Sequence, residues 1–486
     1  MPLTGGTAAE PARSQVQAKA NRQLQKGLVV LLIGVVLWFL PVPHGLKPAA
    51  WHLFAVFAAT LVGLIINPLP LGAMAFSSLT FCTLTGLFTP AEALSGFGST
   101  TIWLIIAAFL FARSFMKTGL GRRIALLMIR EIGGSALKLS YAMVFSDLVV
   151  SPVIPSASAR VGGLLFPITR GLCSGLQSEP GPSARRIGAY MMQTAYQCDN
   201  VICGMFLTSM AANPLVAAFA KQIAGVEITW GTWALATSVP GMLTLLLIPL
   251  LLFKLSPPEL KNTPEAKEFA RSQLVELGPM SRDEKVATAV FLGCLLLWFT
   301  GNYTKLDATV VAMLGVSAMV ATNVLEWKDI TEEKGAWDTM VWVGSLLTLC
   351  TGLVRLGLIP WFAKSVSSGL TGMNWTWAVL ILTLVYFYSH YGFASMTVHT
   401  TAMYGSFLAV AVAAGAPPLF VSLGLGFVAS LSGGLTNFSG IAGTIYFGAG
   451  YVSQPEWWKS GLIVSFLNLI AFFGVGAIWW KVIGLW

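Results

Sequence analysis

Residues 151–171 read SPVIPSASARVGGLLFPITRG. The stretch lies among long apolar runs, yet it holds Pro152, Pro155 and Pro167, the hydroxyls of Ser151, Ser156 and Ser158, the pair Gly162–Gly163 and the charge of Arg160. A lipid-facing helix has no use for this mixture. Pro155 has no N–H to donate and disfavours helical backbone at Ile154. Non-helical backbone at membrane depth is tolerated only when it is buried in protein or lines a wet cavity. The stretch therefore predicts a segment that enters and leaves the membrane from one side, with its tip at 156–160.

The surroundings make a membrane the solvent. The chain has 486 residues, of which 56% are hydrophobic and 10% charged, against roughly 25% charged in soluble domains. At ~20 apolar residues per span there is room for about a dozen crossings. The expected fold class is an all-α polytopic membrane protein with about 11 transmembrane helices plus two re-entrant hairpins. Lys and Arg exceed Asp and Glu by nine, an excess that suits cytoplasmic loops rather than nucleic acid. Residues 1–26 form a polar tail, and the first apolar run, 27–42, has no small-residue cleavage site after it, so an uncleaved helix is expected. Six cysteines show no metal-binding spacing and are read as small buried hydrophobes.

Two regions fit the spanning pattern badly, 140–172 and 391–416. With the N-terminus in the cytoplasm and both regions re-entrant, six of the 29 Lys and Arg fall outside (Lys47, Lys221, Lys305, Arg355, Lys364 and Lys481), Arg160 lies within the membrane and 22 face the cytoplasm. The C-terminus is then periplasmic. The polar insert 255–285, with Glu and Lys/Arg at helical spacing, reads as a cytoplasmic surface helix. It separates a first half, 51–254 with a hairpin over 140–172, from a second, 286–486 with a hairpin over 374–416; residues 27–50 precede them as a first helix and loop.

The halves resemble each other at a nearly constant offset. Trp103 and Trp342, Ser156 and Ser395, and Gly204 and Gly443 are each 239 apart, and Gly119 and Gly357 are 238 apart. Inverted repeats with broken helices meeting at the midplane are a transporter architecture. At the first tip, Ser156, Ala157, Ser158 and Arg160 combine helix N-terminal N–H groups, hydroxyls and a bidentate cation, a set suited to a carboxylate. The second tip offers Ser395, Met396 and Thr397. Two runs of small polar residues accompany them: 199–215 with Thr208 and Asn213, and 433–451 with Thr436, Asn437, Ser439 and Gly440. Close helix packing through small residues is the alternative for each. Asp147, Arg160, Asp199, His390 and His399 are intramembrane ionisable groups, costly and functional by default; Asp147 pairing with Arg160 is the structural alternative. No HExxH, no GxGD and no phosphate-binding loop occurs, so no enzyme and no ATP drive is expected.

Long segments carry a family resemblance: WHLFAVFAATLVGLIINPLP, GLGRRIALLMI, PSASARVGGLLFPI, PSARRIGAYMM, HYGFASMTVHT and YFGAGYVSQPEWWKSG. Through them the chain resembles the divalent anion/sodium symporter family, in particular its citrate/succinate and tartrate/succinate antiporters and plastid 2-oxoglutarate/malate translocators. The resemblance implies an elevator-type homodimer in the inner membrane that carries di- or tricarboxylates. In that family a Ser-Asn-Thr signature at each tip binds substrate carboxylates, and its Asn helps to hold sodium. Here Ser156-Ala157-Ser158 and Ser395-Met396-Thr397 keep the hydroxyls and lack the amide, which favours anion exchange over sodium coupling. No cofactor is expected. The backbone near Cys203, Gly204 and Gly440 could still offer carbonyls to a weak sodium site, so sodium- or proton-coupled symport is the alternative. Ion channel and intramembrane hydrolase are the readings from other classes. An unpaired Arg160 would hold back the empty carrier, because moving a bare charge through an apolar barrier is unfavourable.

Overall fold

The computed structural model describes residues 9–367 and 374–486, with side chains from residue 21 onward except those of 302, 366 and 367. Residues 1–8 of the predicted tail and residues 368–373 lie outside it. The protein is all helix: no strand forms among the described residues, only an isolated bridge between Ser135 and Asn262. Eight helices are long and apolar enough to cross a membrane, among them Pro48–Ile66, Thr100–Thr118, Trp230–Leu255 and Gln454–Val482. The first helix starts at Ala9 and runs to Phe39, so the polar segment continues the helical backbone of the first span. All six cysteines are buried and unpaired.

The chain divides into two compact units that cut across the sequence halves: one takes Met1–Ser99 and Asp338–Phe362, the other Thr100–Trp337 and Ala363–Trp486. In the first, Trp38 stacks on His52 at 4.2 Å, and the Gly96 N–H donates to Thr348 Oγ1 at 3.1 Å. The second unit carries every candidate site residue.

Within the second unit the polar insert forms the helix Pro264–Leu277. Ala266 and Ala270 are buried on its inner face, and it packs on the amphipathic helix Leu120–Ile132. Arg123, from that partner helix, donates to both carboxylate oxygens of Glu284 at 2.6 and 3.1 Å. Glu284 also completes a capping box with Ser281 at the start of Arg282–Phe299.

Four segments of this unit decide the site. Helix Ala136–Val150 ends, the backbone turns through 151–156, and a helix resumes at Ala157, with π geometry over Ala159–Leu165 before Phe166–Gly175. Helix Trp375–Ser389 ends likewise, turns through 390–395, and resumes as Met396–Ala413. Helix Gly188–Met205 is interrupted over 206–211 before Ala212–Phe219. Helix Pro418–Leu431 is interrupted after Leu435 and resumes as Ile441–Gly448. The packing crosses over: Ala212–Phe219 lies on Met396–Ala413, and Ile441–Gly448 lies on Ala159–Leu165. Each interrupted helix of one half thus supports the turn of the other.

Three of the four offset pairs occupy matching places. Trp103 and Trp342 lie within long helices, Gly119 and Gly357 both take positive φ (76° and 89°) just before the next helix, and Ser156 and Ser395 begin the helices after the turns. Gly204 and Gly443 do not match, because Gly204 precedes its interruption and Gly443 follows its own. Two glycines at unlike places in helices can share an offset by chance; a positive φ before a helix is the stronger signature.

Candidate functional site

Both turns deliver a serine to a helix N-terminus. The Ala159 N–H donates to Ser156 Oγ at 3.2 Å, and the Val398 N–H donates to Ser395 Oγ at 3.4 Å. One turn further on, the N–H of Arg160 donates to Ser156 O and that of His399 to Ser395 O, at 2.9 and 3.0 Å. Ser156 and Ser158 share a hydroxyl contact of 2.8 Å. First-turn N–H groups have no intrahelical acceptor, so each turn presents the positive end of a helix with hydroxyls beside it. Ser156, Ala157, Ser158, Ser395, Met396, Thr397, Asn437 and Gly440 are all half-buried.

Ala157 and Met396 pack against one shared cluster of Cys203, Met210 and Ala212. The two turns therefore meet at the first interrupted helix. Met396 also lies against the second interruption, its thioether beside Gly433 and Gly440. Gly461 lets the helix Gln454–Leu469 approach the carbonyls of Gly434 and Leu435 so closely that a Cβ there would lie 2.3 Å from Gly434 O. Trp458, on that helix, donates to Asn437 Oδ1 at 3.0 Å and flanks Tyr391 and Phe438. The sequence reading missed Trp458; an indole followed by Lys459 reads there as an interfacial anchor.

The other five predicted site residues are buried and already bonded. Arg160 is 0% exposed. It donates from Nε to Asp147 Oδ1 at 2.7 Å, from Nη2 to Asp199 Oδ1 at 2.7 Å and Cys203 Sγ at 3.3 Å, and from Nη1 to Ile154 O and Ser209 O, both at 2.9 Å. Arg160 is thus not the carboxylate donor anticipated from sequence, because its donors are committed to the protein. The expectation of an unpaired charge that restrains the empty carrier is overturned with it. Arg160 instead ties the first turn to Gly188–Met205 and to the first interruption.

Thr208 donates to Pro152 O and accepts from Trp230 Nε1 at 3.0 Å, which pins the interruption to the turn. Asn213 Nδ2 bridges Cys203 O at 2.7 Å and Phe206 O at 2.9 Å across the interruption. Thr436 and Ser439 share a 2.6 Å hydroxyl contact, and Tyr196 donates to Gly433 O and Thr436 O at 2.7 and 3.0 Å. These groups shape the site from behind. The Gly204 carbonyl accepts from Trp233 Nε1 at 2.8 Å. Among the described residues no group of three or more His, Cys, Asp or Glu could hold a metal ion. The His390 and His399 rings lie 4.8 Å apart behind the second turn, with His399 Nε2 at 2.9 Å from Ser389 Oγ.

Interrupted helices converging on helix N-termini inside an apolar bundle define a membrane transporter, a class in which such helices build the substrate site. The chain belongs to the divalent anion/sodium symporter family: the sodium:sulfate symporter transmembrane region matches residues 21–486. It is 46% identical to the Bacillus subtilis protein YflS, over 94% of this chain and 96% of that one. It is 42% identical to the chloroplastic dicarboxylate transporter 1 of Spinacia oleracea, covering 97% of this chain and 84% of the relative. The Escherichia coli inner membrane protein YbhI is 35% identical, over 96% and 99% of the two chains. The fold is similar to that of the Alcanivorax borkumensis YdaH transporter, with TM-score 0.53, 14% identity, and 96% and 98% of the chains covered. The chain is a multi-pass membrane transporter, not an enzyme.

Proposed function

We propose that the protein is a secondary active transporter of di- or tricarboxylates that works by anion exchange, with succinate, malate, tartrate, 2-oxoglutarate or citrate as the substrate class. The names of two relatives support the class: YflS bears the name putative malate transporter, and the Spinacia oleracea protein is named dicarboxylate transporter 1. The observation that carries the mechanism is the pairing of two serine-capped helix N-termini with an apolar floor between them. A dianion has two ends, and each turn offers one end N–H groups and hydroxyls. Beneath them Ala157 and Met396 pack on Cys203, Met210 and Ala212, and the carbonyls of Cys203 and Gly204 already accept hydrogen bonds from the protein. A sodium ion needs several oxygen ligands, and burying one beside apolar groups is costly; this arrangement favours exchange over sodium symport. An elevator movement, a homodimer in an inner membrane, a cytoplasmic N-terminus and a periplasmic C-terminus complete the proposal.

Purified protein in liposomes should take up radiolabelled malate fast when the vesicles hold dicarboxylate and slowly when they are empty, with little response to replacing sodium by choline. Strong sodium dependence with no need for internal substrate overturns exchange and restores symport.

A further inference from the structure

We propose that Asp147 and Asp199 hold one exchangeable proton between them, and that its loss at high pH weakens substrate binding at the first turn. This rests on the reading of the chain as a dicarboxylate exchanger. The argument begins with charge. Arg160, Asp147 and Asp199 are 0%, 3% and 1% exposed. One guanidinium faces two carboxyl groups, each bonded to it at 2.7 Å. With both carboxyls ionised the cluster would carry a net negative charge sealed from water. The titratable groups that face it from the packed helices are Cys198 and Cys203, Tyr196 and Tyr446, and none of them supplies a cation. An uncompensated charge in such a place neutralises rather than persists. A single proton closes the balance.

The geometry gives that proton a place and a route. Asp147 and Asp199 bond two neighbouring nitrogens of one guanidinium, Arg160 Nε and Nη2, each at 2.7 Å, so either carboxyl can carry the proton while the other stays paired with the cation. Asp199 Oδ2 accepts from the Cys203 thiol at 4.0 Å. Beside Asp147 lies a cavity of about 10 Å³, walled by Met143, Leu165, Ile202 and Tyr446, close to the volume needed for one water. Tyr446 is 1% exposed and its hydroxyl has no hydrogen-bond partner. One water in the cavity would join that hydroxyl to the Asp147 carboxyl. Tyr446 stands on Ile441–Gly448, the helix that follows the second interruption and packs on the π segment of the first turn.

The step is a proton transfer alone. An aspartic acid O–H bond breaks, the proton leaves to water, and the cluster passes from neutral to one negative charge. The Arg160 backbone N–H bonds Ser156 O, so this charge arises one helical turn from the hydroxyls that receive the substrate, and it repels a dianion.

The test is malate exchange in liposomes preloaded with malate, at equal pH on both sides from about 7 to about 9.5, where malate is already a dianion. The wild-type KM should rise with pH, by about tenfold per pH unit at most, the limit for release of one proton. Asp147→Asn and Asp199→Asn each leave one guanidinium with one carboxylate, neutral across that range, and their KM should be flat. A flat wild-type profile, or the wild-type slope retained in both variants, overturns the proposal. Thermal unfolding of the solubilised protein separates this from a failure of the transport reading. A proton held only in the folded state stabilises it at low pH and is lost as pH rises. The wild type should therefore lose Tm over the same range and the two variants should not. Equal Tm profiles overturn the proton whatever the substrate proves to be.

Discussion

The first and second turns are built alike at the surface and differently beneath it. Each begins a helix with a serine whose hydroxyl accepts from the N–H three residues on, and each places a basic residue four positions after that serine. In the first turn this residue is Arg160, held by two carboxyl groups and two carbonyls. In the second it is His399, among the rings of Tyr386, His390 and Phe393 at 4.6 to 4.8 Å, and no ion pair forms there among the described residues. The comparison teaches that a cation in a transport site need not face the substrate. The half-buried serine caps match between the turns, and the buried parts that brace them do not.

The comparison breaks or sharpens through substitution. Arg160→Ala should have the largest effect, because it leaves the buried carboxyl groups of Asp147 and Asp199 without their cation; breaking a buried pair costs about 3–5 kcal/mol. We expect a large fall in Tm or loss of monodisperse protein, and a much smaller fall for His399→Ala. Equal falls would erase the distinction between the braces.

Thr208→Val and Tyr196→Phe remove the hydroxyls that pin the first and second interruptions. Each leaves a buried carbonyl short of a donor, at a cost of about 1–3 kcal/mol, read by thermal unfolding. If only one of them destabilises the protein, the two interruptions are not equivalent supports.

Ser156→Ala and Ser395→Ala each remove a helix cap, worth about 0.5–2 kcal/mol. Both should raise the KM for malate to a similar degree, and an effect confined to one turn would show that a single helix N-terminus holds the substrate. Thr397→Ala should be the smallest change, about 0.5–1.5 kcal/mol in substrate binding for a neutral hydrogen bond, with Tm unchanged; a loss of Tm would make Thr397 a structural group.

Much of the fold was legible in the residues. Pro152 and Pro155 each lack a backbone donor and disfavour helix at the residue before them, and the helix that ends at Val150 resumes only at Ala157. The apolar runs yielded the long helices, and the spaced charges of 255–285 yielded Pro264–Leu277. Ser156 and Ser395 could be read as site residues because a serine ahead of an apolar helix is a capping signal with local causes.

Which polar groups remain free could not be read in this way. The sequence by itself determined that Arg160 lies in an apolar region and needs partners, since the cost of a lone charge there does not depend on the fold. Only the tertiary structure decided that Asp199, 39 positions away, and the Ser209 carbonyl, 49 positions away, would take up its donors. The same holds for Thr208, whose hydroxyl is used by Pro152 at a separation of 56, and for Ala157 and Met396, which meet on Cys203, Met210 and Ala212. Capping and helix breaking act within a few residues and leave a mark in the local sequence. Hydrogen-bond partners in a membrane protein are chosen by which helices pack together, and a donor buried by that packing must be satisfied by whatever acceptor the neighbouring helix brings.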